Sequence, residues 1–156
     1  MIAHGLLLSV VASVWLLAVL RFNPRLMIQD YPKDIQAAVP AKTADEKRMA
    51  LILGLPLLVV MFGVPGWSAL TLKHELGAAA TFWPLALRAF GVAQTFNVVD
   101  WLVLDWLIFC TITPRFLVIP GTERMAGYKN YAFHFRGFLI GTVVSAVGSI
   151  IIATVI

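Results

Sequence analysis

Residues 91–113 read GVAQTFNVVDWLVLDWLIFCTIT, an apolar run broken by Gln94, Asn97, Asp100 and Asp105. It is long enough to cross about 30 Å of hydrocarbon as a helix, which needs roughly 20 residues. Charge at that depth costs several kcal/mol, so carboxylates placed there point first to function and second to packing. The stretch also selects the fold, because its length matches a membrane-crossing helix.

Three further segments share its character: residues 2–20, 49–71 and 137–156. The whole chain of 156 residues is 60% hydrophobic and 13% charged, with a mean hydropathy of +0.88. That composition lies outside the soluble range. The runs lack the period-2 alternation of barrel strands and are about twice as long. The expected fold is therefore an all-α integral membrane protein, a single domain of four transmembrane helices over residues 1–156.

The net charge of +4 is a matter of topology. Arg21, Arg25, Lys33, Lys42, Lys47 and Arg48 lie between the first two spans, and Arg115, Arg124, Lys129 and Arg136 between the last two. Only Lys73 and Arg88 fall between the second and third. By the positive-inside rule the two basic loops face the cytoplasm, and both termini face outward in a multi-pass cell-membrane protein. The first segment has no basic residue ahead of it and ends in Arg21, so it is expected to remain an uncleaved span. The bilayer is the expected partner, and nucleic acid is not. Cys110 stands alone and offers no internal disulfide.

Local signals refine the spans. Thr43-Ala-Asp-Glu46 is a capping box ahead of the second span, and Pro32 opens a turn or two of helix. Pro56 should kink the second span, and Pro65-Gly66 should end it. For residues 72–90 we expect a short interfacial helix before the third span. One continuous helix over 81–113 would be about 50 Å long, well beyond the hydrocarbon. Small residues at 5, 9 and 13, and at 137, 141, 145 and 148 or 149, permit close helix approach. They suggest a homo-oligomer or a partner membrane subunit.

At 100° per residue, Gln94, Asn97, Asp100, Asp105 and Thr111 share an arc of about 140°, with Trp106 and Cys110 opposite. Asp105 lies ten residues from Arg115, too far for a pair on one helix. Its partner must come from another helix or from water; for the two carboxylates together the candidates are Arg88, Arg115, His134 and Arg136. Such carboxylates relay protons, bind a cation or act as acid and base. The leading expectation is a small ion- or proton-handling channel or transporter subunit, with Gln94, Asn97, Asp100 and Asp105 on a polar path. The alternative is a membrane-embedded enzyme for a lipid or quinone-like substrate, with His134 and Arg136 at its headgroup. A non-catalytic partner subunit is the third reading. No cofactor is expected. His4 and His74 supply only the minimum for haem, without a ligand spacing such as HxxxH, and a divalent metal would have to join Asp100 or Asp105 to His134.

Overall fold

A computed structural model describes all residues, 1–156, as helices and turns without a strand. The helices are α1 (Ile2–Phe22), the short α2 (Lys33–Ala38), α3 (Ala44–Leu76), α4 (Phe82–Val99) and α5 (Tyr131–Val155). From Asp100 to Ile112 the chain of α4 continues without a break as a π-helix. Four helices are long and apolar enough to cross a membrane: α1, α3, α4 with its π continuation, and α5.

The capping box at the start of α3 is formed. Thr43 Oγ1 accepts from Glu46 N (3.2 Å), and Glu46 Oε2 accepts from Thr43 N (2.8 Å). Pro32 caps α2. Two expectations are corrected. First, α3 does not end at Pro65-Gly66 but runs through Pro56 and Pro65 to Leu76. Proline is tolerated in such helices where neighbours satisfy the freed backbone. Trp15 Nε1 of α1 donates to Leu53 O at 2.9 Å, one residue along from the carbonyl that Pro56 leaves without its donor.

Second, no separate interfacial helix precedes the third span. A three-residue turn, Gly77–Ala79, leads directly to Phe82, and one helical rod runs from there to Ile112. The rod holds 31 residues and, like the 33-residue α3, is longer than the hydrocarbon is thick, so it must tilt or stand proud of it.

α4 is the central helix and packs against α1, α3 and α5. Leu8, Ala12, Val92 and Phe96 form the core between α1, α3 and α4. The small-residue rows are used within the chain. A Cβ on Gly5 would stand 2.6 Å from Thr95 Cβ, and one on Gly148 2.9 Å from Phe62. Gly141 meets the amide of Asn97. Close approach of α1 and α5 to the bundle accounts for Gly5, Gly141 and Gly148, whereas Gly137 faces open space.

The two basic loops fold over one end of the bundle. Tyr31, Ile35, Phe109, Cys110, Leu117, Ile119 and Tyr128 form an apolar core there. Tyr31 OH donates to Leu117 O (2.9 Å), Ile119 N donates to Tyr128 OH (3.0 Å), and Gly127 N donates to Asp34 Oδ2 (2.9 Å). Cys110 is buried in this core.

Candidate functional site

The π-helix changes the relation between the two carboxylates. Five residues of α-helix turn a side chain about 140° away from its start, whereas i→i+5 winding returns it to nearly the same side. Trp101 and Trp106, five apart, accordingly meet edge to face at 4.9 Å. Thr111 Oγ1 donates to the Trp106 carbonyl at 2.7 Å, again five residues back. Asp100 and Asp105 have the same spacing and are brought to one side, one turn apart. At its end the segment is closed by Lys129, whose Nζ donates to Cys110 O (2.6 Å), Thr111 O (3.1 Å) and Thr113 Oγ1 (2.9 Å).

The partner of Asp105 is His134, in the first turn of α5: Nδ1 lies 2.9 Å from Asp105 Oδ1. The imidazole is 4% exposed and walled by the rings of Phe109 and Phe133 at 4.7 and 5.3 Å. With Nδ1–H donating to the carboxylate, Nε2 is left buried without a partner. The first turn of α5 thus holds the ring against the Asp105 carboxylate. The Asp100 carboxylate is half-buried and accepts no hydrogen bond from the protein; the charges that act on it are Asp105, Asp30 and His134.

Gln94 and Asn97 stand further along α4 and face α5. Asn97 Nδ2 lies 3.0 Å from Thr142 Oγ1, 3.1 Å from Phe138 O and 3.3 Å from Gln94 Oε1, and Gln94 Nε2 donates to Thr142 Oγ1 at 3.1 Å. Thr142 Oγ1 in turn donates to Phe138 O at 3.0 Å. The expected stripe thus divides into a closed amide–hydroxyl knot and an open carboxylate–imidazole group. Thr111 leaves both and bonds Tyr131 OH (3.0 Å). Trp106, expected on the opposite face, joins Trp101 and bonds Tyr131 O (3.3 Å). Arg136 is exposed and makes no hydrogen bond or ion pair within the chain, so the structure does not bring it to the group.

Asp30 was not anticipated. The 3₁₀ turn Pro24–Asp30 packs against α1 and α3 and sets this carboxylate within the field of Asp105 and His134. As a residue Asp30 is exposed, yet the protein crowding its carboxyl disfavours charge and holds its pKa above the usual range. Repulsion from Asp105 adds to this, while the Gln29 amide (3.0 Å) and the Lys42 ammonium oppose it. Lys42 donates to Leu26 O and to Gln29 Oε1 and so pins the turn. Pairing of loop and helix across this distance has no local sequence signal.

Nowhere do three or more His, Cys, Asp or Glu side chains converge as a metal would require. His4 is stacked on Trp67 at 4.6 Å and bonds Ser68 Oγ at 2.8 Å, and His74 is exposed. No protein family, curated protein or solved structure matches the chain.

Proposed function

We propose that the chain is a multi-pass membrane protein that takes up and releases protons at its basic-loop end, as a small transport subunit. The observation that carries this reading is the Asp105–His134 pair, 2.9 Å apart on facing helices, with the unpartnered Asp100 one π turn away. The positive-inside distribution supports placing this end in the cytoplasmic leaflet.

The chemistry follows from the geometry. Asp105 fixes the tautomer of His134 by accepting from Nδ1, which leaves Nε2 as a base in an apolar wall. A proton taken at Nε2 makes an imidazolium that Asp105 stabilises directly. Asp100, with no hydrogen bond to give up, accepts that proton on the deep side, and the exposed Asp30 exchanges it with water on the other. Gln94, Asn97 and Thr142 hold α4 against α5, so that the pair keeps its distance.

The test is proton flux in liposomes of purified protein, read with an internal pH dye. Asp105→Asn, His134→Gln and Asp100→Asn are each expected to lower the flux at least about tenfold, the scale on which a positioned acid or base acts. Unchanged flux in Asp105→Asn, with normal folding, would remove the pair from the path.

One observation favours a second reading. An apolar groove of about 230 Å³, lined by Trp15, Ala18, Val19, Phe22, Met49 and Leu53, lies between α1 and α3. An adjoining cavity of about 80 Å³ reaches Leu26, Met27 and Gln29, next to Asp30. In an enzyme acting on a lipid or quinone-like substrate, this groove would admit the chain from the bilayer and His134 would serve as the base. Turnover of an added lipid or quinone without proton flux would select that reading.

A further inference from the structure

The end of the bundle remote from Asp105 holds a second polar group that proton handling does not use. Ser68 of α3 is fully buried. Its Oγ lies 2.9 Å from Arg88 Nε of α4 and 2.8 Å from His4 Nδ1 of α1. Arginine only donates, so the serine oxygen accepts from Arg88 and shares a second hydrogen bond with His4. The histidine is itself held by stacking on Trp67. Three helices thus combine to grip one guanidinium by its Nε edge.

The remaining edge is free. Arg88 forms no ion pair; the two in the chain are Arg25–Glu46 and His134–Asp105. Neither Nη atom has an acceptor in the protein, and neither is a buried orphan. Glu75, seven residues beyond Ser68 on α3, is exposed and does not reach it. Lys73 is bonded to the carbonyl of Ile156. A half-buried guanidinium with a fixed orientation, four unused N–H groups and no carboxylate is arranged for bidentate capture of an oxyanion.

We propose that Arg88 binds a phosphoryl oxyanion, with Ser68 and His4 as the residues that position it. Two sources present that chemistry: the phosphate of a phospholipid headgroup and a free phosphate. Arg88 stands six residues into α4, about 9 Å from its first residue. The exposed Trp67 and Trp83 nearby are the residue type that marks headgroup depth. The lipid arm rests on the helices crossing a bilayer, and the free-phosphate arm does not.

The experiment uses the full chain in a neutral detergent. Native mass spectrometry counts retained phosphatidylglycerol, and thermal shift follows titration with inorganic phosphate. Wild type is compared with Arg88→Gln, Arg88→Lys, Ser68→Ala and the remote Arg48→Gln. Retention of the lipid that falls about tenfold in Arg88→Gln, falls less in Arg88→Lys and Ser68→Ala, and persists in Arg48→Gln supports a lipid site. A phosphate-dependent stabilisation lost in the same variants supports a site for the free anion. Neither ligand showing dependence on Arg88 overturns the proposal and leaves Arg88 an interfacial anchor. Should Arg88→Gln fail to fold, the Arg88→Lys and Ser68→Ala samples carry the same comparison. Proton flux measured on the same samples keeps the fate of the Asp105–His134 reading separate.

Discussion

Asp30 carries charge where its surroundings resist it, and this has a consequence for stability. Its folded pKa is raised above the value of about 3.9 for an unfolded chain. Between those two values the folded state binds more protons than the unfolded, so stability falls as pH rises through the window. Above it the full cost persists; below about pH 4 both states are protonated and the cost is gone. Asp30→Asn, which keeps an oxygen to accept from Gln29, should therefore melt higher than wild type at pH 7.5, with the difference closing toward pH 4. Thermal unfolding at the two pH values checks this. A lower melting point at pH 7.5 would contradict the crowding of that carboxyl.

At the scale of elements, the decisive contact is α4 against α5. Asn97 is buried and bonds Phe138 O and Thr142 only because Gly141 leaves room for its amide. A methyl group at 141 would occupy the place of the Asn97 oxygen. Gly141→Ala is expected to cost about 1–3 kcal/mol, as forced overpacking does, and to part Asp105 from His134. Gly137→Ala, one turn earlier and facing open space, should be neutral or stabilise by up to about 1 kcal/mol through helix propensity. Equal melting points for the two variants would refute the packing role of Gly141. The π-helix acts at the same scale. It turns a pair that α winding would separate by about 140° toward one side, and its closing carbonyls are held by Lys129 from the loop that follows it.

At the scale of the whole molecule, the charge distribution predicts the orientation. In a Cys110→Ala background, Glu75→Cys is expected to react with a membrane-impermeant maleimide from outside intact cells. Lys47→Cys should react only after permeabilisation. Labelling in the reverse order would invert the topology and place the Asp105 end in the outer leaflet.

Much of this architecture was legible before folding. Hydrophobic length, the basic-loop asymmetry, the Thr43–Glu46 cap and the isolation of Asp100 and Asp105 depend on residues near one another in the chain. Composition and local spacing are sufficient for these. The requirement that Asp105 find its partner on another helix was legible too, with His134 among four candidates. The rest needed three dimensions. Pro65 and Gly66 end many helices, and only packing carries α3 past them. The π winding, along which Trp101, Trp106, Tyr131 and Lys129 meet, is something a uniform 100° wheel cannot represent. Asp30 and Arg88 acquire their surroundings from distant segments: a loop tucked under α1 and α3, and a serine and histidine on two other helices. Local chemistry determined which residues are costly in an apolar bundle, and tertiary packing alone decided which of them meet, because those meetings join residues tens of positions apart.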